Sequence, residues 1–329
     1  MKNRYRILLL LLLGMSGWSC ENEEKITPEG VGPWLTPIAF PQGSDAWDKI
    51  FEDIYKEHGV KIIYKDFSDK DWSHTWINQA GAEITGERFE TPEELTDVAN
   101  YMKKYLFDVL DPATTRGVFR RYIFLVKDMK VANLSYSLSI GTDNWAFSPP
   151  VGQTNTNSYP DYVYKPKIRV FSEILITAFK NGNITLPETF YEGIDYDKTT
   201  IGYSSARTNN RWEDLWCRRG FLTTLTGDGW PTFPDAYPTM MVTITGFPGQ
   251  PEDEFSRFVR HVLAIRGIDR YFANGGRFEL SPKLSNRINI VINHLESAHG
   301  IDLLAYQAVA YDGYTGNEWD DSLYAPAIP

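Results

Sequence analysis

The histidines at 58, 74, 261, 294 and 299 are the first residues to test for metal or proton chemistry. Two imidazoles grip a metal from one helix when they stand three or four residues apart and share a face, and no pair here has that spacing. His294 and His299 are five apart, which assigns them to different sides of their helix. The carboxylate pairs Asp195/Asp197 and Glu213/Asp214 have the residue type for glycoside hydrolysis, in which one acid protonates a leaving oxygen while the other attacks or activates water. Adjacent acids in loop-like sequence face solvent, so this chemistry ranks below binding. The chain has no Gly-x-Ser-x-Gly elbow, Walker loop or dinucleotide glycine fingerprint.

Aromatic residues offer a different chemistry. With 10 Trp and 19 Tyr the chain has rings to spare, and two groups lie in sequence of loop composition: Trp145, Phe147 and Tyr159, then Trp230, Phe233 and Tyr237. Flat rings give large contact area at small entropic cost, and Asp143 and Asp228 beside them can accept hydroxyl hydrogen bonds, the mixture a sugar requires. These six aromatics are therefore the candidate ligand-binding residues. The competing assignment is that they pack loops onto the core.

Cys20 and Cys217 are the two thiols, so a disulfide framework is excluded. Lys2, Arg4 and Arg6 precede an apolar run over 7–13, and Gly17-Trp18-Ser19-Cys20 follows where bacterial lipoproteins are cleaved and acylated. We expect residues 1–19 to be a lipoprotein signal peptide and Cys20 to carry the lipid. The alternative is an ordinary secretory signal with an incidental cysteine. Glu21-Asn22-Glu23-Glu24-Lys25 resembles the acidic export signal of Bacteroidetes lipoproteins, placing the protein on the outer membrane and facing the exterior. Multiple acyl chains make anchoring stable, where a single chain holds only marginally. Cys217 then lacks a partner and reads as a buried or inert thiol. The net charge of -10, made more acidic by loss of the basic leader, argues against a nucleic-acid partner. With 42% hydrophobic and 23% charged residues, disorder throughout is excluded.

The acidic stub runs into a Pro/Gly-rich stretch, and we assign 20–43 to a tether and 44–329 to a single domain. Helical periodicity predicts a helix over 45–57 behind a Ser44 cap and ended by Gly59. Thr91-Pro92-Glu93-Glu94 starts another, running to about 110. Further helices are expected over 168–180, 251–266 and 283–299. The 251–266 helix carries the apolar stripe Phe255, Phe258, Val259, Val262 and Leu263, with Glu252, Asp253 and Glu254 favouring the dipole at its start. Strands are predicted over 60–64, 122–126 and 134–140, and residues 141–167 read as a long loop. Strands before helices suggest an α+β fold.

Several segments in order, FPQGS at 40–44, FSEILITAFKNG at 171–182, LPETFYEGI at 186–194, RRGF at 218–221, PEDEF at 251–255 and NIVINHLESAHGIDL at 289–303, resemble the zinc-binding metallopeptidase lipoproteins of Bacteroidetes. The resemblance covers about 40–310. It implies a zincin-like α+β fold with a small mixed sheet, an active-site-type helix and a mainly helical C-terminal part, and a place beside SusC/SusD-type nutrient import systems. That family's chemistry rests on a His-Glu-x-x-His helix, two imidazoles holding zinc while the Glu acts as base on the metal-bound water. The matching positions here are Ser172, Glu173 and Ile176. The Glu survives and both imidazoles are replaced, so no catalytic residue is assigned, no metal is expected, and Glu173 is expected at a surface or cap. Arg257 stands where a carboxylate often follows the acidic cluster.

Two functional classes follow. In the first, the chain is a surface lipoprotein on a metallopeptidase scaffold that has lost its zinc ligands, binding a glycan or assembling with an uptake complex. In the second it is an active zinc metallopeptidase with other ligands, and zinc belongs to that alternative alone.

Overall fold

The computed structural model describes residues 38–73, 84–131, 134–135, 137–141, 144–151, 161–197, 219–221, 251–264 and 282–313. The chain divides into two units, Met1–Ile38 and Ala39–Pro329, and the structure below belongs to the second. Segment 40–43, assigned from sequence to the tether, packs into this unit. Gln42 Oε1 accepts from the amides of Tyr64 at 2.8 Å and Lys65 at 3.2 Å, while its Nε2 donates to the Lys65 carbonyl. The Phe40 ring meets Tyr55 edge-on at 5.2 Å. Gly43 lies so close to Asp48 that a Cβ there would overlap the carboxylate.

Helix α1, Ala46–His58, starts at Asp45, one residue beyond the expected Ser44 cap. Asp48 explains the shift: its Oδ2 accepts from the Asp45 amide at 3.0 Å, meeting one of the helix's unpaired donors. The buried Oδ1 of the same group accepts from Tyr64 Oη at 2.8 Å, and Trp47 Nε1 donates to that hydroxyl at 3.2 Å. Gly59 closes α1 in the left-handed region, with φ 77°, where a side chain would be strained.

Strand β1, Lys61–Ile63, begins the larger sheet; β3 is Tyr122–Leu125, β6 Leu138–Ile140 and β7 Asn144–Phe147. Their order is β1-β3-β7-β6, with β1, β3 and β7 parallel and β6 antiparallel to β7. Ile62 faces Ile123, and Ile123 faces Trp145. All four residues of β7 are buried. A strand covered on both faces shows no alternation of apolar and polar residues, which is why 144–147 read as loop. Strand β2, Ile84–Glu87, pairs with β4, Lys127–Val131, and β4 pairs with the two-residue β5, Leu134–Ser135, in a separate antiparallel sheet. The single strand expected over 134–140 is thus two short ones.

Between these strands, α2 covers Asp69–Ser73, α3 Pro92–Met102 and α4 Pro112–Thr115. Thr91 Oγ1 accepts from the Glu94 amide and Glu94 Oε2 from the Thr91 amide, both at 3.2 Å, so the expected Thr cap is completed into a capping box. Glu94 also holds Lys127 Nζ at 2.7 Å, tying the second sheet to α3. These bonds, led by Lys127, hold its carboxyl down to about 2. After Met102 the helix widens into a π turn over Lys103–Phe107.

Helix α5 covers Asp161–Lys180, seven residues longer at its start than expected, and runs through Pro166. Proline removes one helical hydrogen bond and usually marks a boundary, which hid the first turns. Helices α6, Pro251–Ala264, α7, Pro282–His299, and α8, Leu303–Ala310, complete the C-terminal part. The α6 stripe of Phe255, Phe258, Val259, Val262 and Leu263 is buried throughout, at about 1.5–3 kcal/mol per side chain. The Phe255 ring packs tilted against Phe179 of α5, their centroids 4.6 Å apart. The fold is mixed α+β: helix α1 leads, short strands and helices alternate up to β7, and helices follow. Among the described residues no helix is long and apolar enough to cross a membrane.

Candidate functional site

Ser172, Glu173 and Ile176 occupy the middle of α5. Ser172 is buried, and its Oγ donates back to the Arg169 carbonyl at 3.0 Å, a bond internal to the helix. Ile176 is part of the buried apolar interior. Glu173 is neither a free surface acid nor a cap, contrary to expectation, because Arg260 of α6 donates Nη2 to its Oε1 at 2.9 Å, with both side chains about four-fifths covered. The carboxylate is already committed to a charge-assisted hydrogen bond.

Among the described residues a second polar cluster, which also involves α6, centres on Arg287, which the sequence did not single out. From α7 it donates Nε to the Phe190 carbonyl at 2.8 Å and Nη1 to the Gly220 carbonyl at 2.6 Å. Its Nη2 reaches Tyr196 Oη at 2.8 Å and Glu254 Oε2 at 2.7 Å. Tyr196 Oη donates to the same Glu254 oxygen at 2.8 Å. The guanidinium also stacks over Phe190 at 4.1 Å and Phe258 at 4.7 Å. Three separate segments, the stretch from Phe190 to Tyr196, the turn at Gly220 and α6, therefore meet on one cation. Glu254, read from sequence as a first-turn acid favouring the dipole, is wholly buried. Burial raises its carboxyl above the usual range while Arg287 opposes that rise. Gly220, with φ 97°, has no room for a Cβ against Ile194 and Lys283, so glycine is required where its carbonyl meets the arginine.

The aromatic candidates separate. Trp145 and Phe147 are 2% and 1% exposed, on one face of β7. Phe119 packs against Trp145 at 5.3 Å and Tyr101 against Phe147 at 6.4 Å. They belong to the core and cannot stack on a ligand, a correction that follows from β7 being an inner strand. Tyr159, Trp230, Phe233 and Tyr237 lie outside the described residues, as do Asp143, Asp228, Glu213, Asp214, Cys20 and Cys217. Asp195 Oδ1 accepts from the Asp197 amide at 3.1 Å, a local turn contact rather than a catalytic pair.

The histidines also differ from the reading by spacing. His294 and His299 come together, their ring centroids 5.2 Å apart, over Thr185. His58 is buried with Nδ1 2.7 Å from Thr115 Oγ1, and His261 Nδ1 lies 2.7 Å from the Arg257 carbonyl. No group of three or more His, Cys, Asp or Glu side chains is placed to hold a metal ion among the described residues.

No protein-family model matches the chain, and no curated protein matches it. Among solved structures, a candidate zinc-binding metallo-peptidase from Bacteroides caccae ATCC 43185 is similar over 82% of this chain and 93% of its own, at 11% identity and a TM-score of 0.42.

Proposed function

We propose that this chain is a surface lipoprotein whose metallopeptidase-like domain binds rather than hydrolyses, as an accessory of glycan or nutrient uptake. The observation that carries the reading is the Glu173–Arg260 pair. A general base must reach the proton it takes with a carboxylate oxygen, and Arg260 already holds one of the two, Oε1. Ser172 and Ile176, at the positions where zinc-binding imidazoles would stand, offer a hydroxyl turned back on its own helix and a buried alkyl group. Neither is a zinc ligand.

The membrane anchor rests on Cys20 and the leader before it, and the uptake partner on the resemblance in sequence. With Trp145 and Phe147 in the core, glycan stacking is assigned to Tyr159, Trp230, Phe233 and Tyr237. Elemental analysis of the purified chain, with a peptidase panel and a glycan panel by calorimetry, tests the reading. Less than about 0.1 zinc per chain, no chelator-sensitive proteolysis and a glycan affinity weakened by Trp230→Ala are the expected results. One zinc per chain with chelator-sensitive peptidase activity would establish the alternative of an active zinc metallopeptidase. Cys20→Ala should release the protein from the membrane fraction, and retention there would overturn the anchor.

A further inference from the structure

The connection between α5 and the 3-10 turn at Glu188–Phe190 is held by two imidazoles from the end of α7. The Thr185 amide donates to His299 Nε2 at 3.2 Å, and the Thr185 hydroxyl lies 3.3 Å from the same nitrogen. The Thr185 carbonyl lies 2.8 Å from His294 Nε2, which is also 3.5 Å from the hydroxyl. Partner chemistry fixes the tautomers. A backbone amide can only donate, so His299 Nε2 presents a lone pair and the ring is neutral, its proton on Nδ1. A carbonyl can only accept, so His294 Nε2 carries hydrogen.

We propose that His299 is the proton-sensitive bolt of this clasp: a proton on its Nε2 turns an acceptor into a donor facing the Thr185 N–H, and loosens residues 183–186 at the end of α7, leaving the His294 bond to the Thr185 carbonyl as the remaining tie. The geometry makes the contact conditional on protonation, since no rotation about the ring axis gives a doubly protonated imidazole a lone pair. Burial, and secondly the neighbouring His294, hold His299 below the ordinary imidazole range, so the bolt is seated at neutral pH and withdraws in weak acid. Charged groups on the surrounding elements are Glu296 on α7, Glu188 on the 3-10 turn, Asp302 before α8, Lys180 at the end of α5, and Arg257 and Arg260 on α6. His294 is the one whose charge acts on His299. The loosened segment includes Ile184, which is buried, and leads into Phe190, whose carbonyl meets Arg287. Acid would thereby loosen the approach to the buried arginine cluster without breaking it.

The test is a pH titration of the full chain by NMR, following the His299 ring and the Thr185 amide together, with amide hydrogen exchange over 183–187. The Thr185 amide shift should track the ring with one shared midpoint below about 6.5. Protection at 183–187, corrected for intrinsic exchange, should fall at least about tenfold across it while α6 stays protected. His294→Gln, which removes the neighbouring charge and keeps a donor, should raise the His299 midpoint. A Thr185 amide that ignores the titrating ring, a ring midpoint at or above the ordinary value, or an unmoved midpoint in His294→Gln would overturn the proposal. So would global unfolding before the ring titrates. If His294→Gln does not fold, the wild-type titration decides alone.

Discussion

Arg287 and Glu254 form an ion pair at 2.7 Å in which the arginine side chain is 2% exposed and the carboxylate not at all. Such a pair gains little over apolar packing, yet removing one partner strands a charge in a medium that cannot solvate it. Arg287→Met should therefore lower stability by about 3–5 kcal/mol in urea unfolding, because Glu254, Tyr196 and two carbonyls lose their partner together. The double variant Arg287→Met/Glu254→Leu should recover part of the loss. A single variant within about 1 kcal/mol of wild type would show the cluster to be solvated.

The Glu173–Arg260 pair is less covered, and its coupling should be correspondingly small. A double-mutant cycle with Glu173→Gln and Arg260→Gln should give about 0.5–1 kcal/mol, reduced by salt. A coupling of zero would mean that the carboxylate is free for other work.

His58 should make the chain acid-labile. Desolvation lowers its pKa in the folded state, so as pH falls the unfolded chain takes the proton first. The stability tied to its neutral form is complete above about 6.5 and is lost as pH falls from there through the folded value, with a slope approaching 1.4 kcal/mol per pH unit. Urea midpoints of wild type and His58→Gln over that range check this, since the variant should have the flatter profile.

Lys167 has the same sign in a more alkaline window. Its Nζ donates to the carbonyls of Val309 and Asp312, and burial brings its pKa down to about 8. Between about 8 and 10.5 the unfolded chain holds the proton that the folded chain has shed, so stability rises with pH there. The melting temperature of wild type should climb relative to Lys167→Met across that interval. A constant difference would place the ammonium in contact with water.

Gly43→Ala should cost about 1–3 kcal/mol, because the added methyl overlaps the Asp48 carboxylate that caps α1 and holds Tyr64. Thermal unfolding reads this directly. Replacing Asp48 as well should make the glycine dispensable.

Elements with one wet face and a cap were legible in the sequence. The α6 stripe and the Thr91 box needed only periodicity and a hydroxyl three residues before a glutamate. Strand β7 and helix α8 were not, since one is buried on both faces and the other is apolar nearly all round, and neither leaves a period to read. The arginine cluster stayed hidden for a different reason. Two of its four acceptors are backbone carbonyls, which every residue has, so nothing in the letters distinguishes Arg287 from a solvated helix residue. The segments that carried the family resemblance, LPETF, RRGF and PEDEF, are nonetheless those that converge on it. Ser172, Glu173 and Ile176 could be placed on one helix from sequence. The Arg260 partner could not, because it comes from 87 residues away.

The Gln42 clasp bears on mechanics. Its amide carries three bonds to the two residues just past the end of β1, as a short piece of strand would. A pull entering the domain from its N-terminal side loads those bonds and the Phe40–Tyr55 contact before it reaches α1. Several bonds sharing a load resist together, and Gln42→Ala leaves the pull to fall on the first turn of the helix. In a tethered protein under flow, the yield point would then move from the clasp to the Asp48 cap.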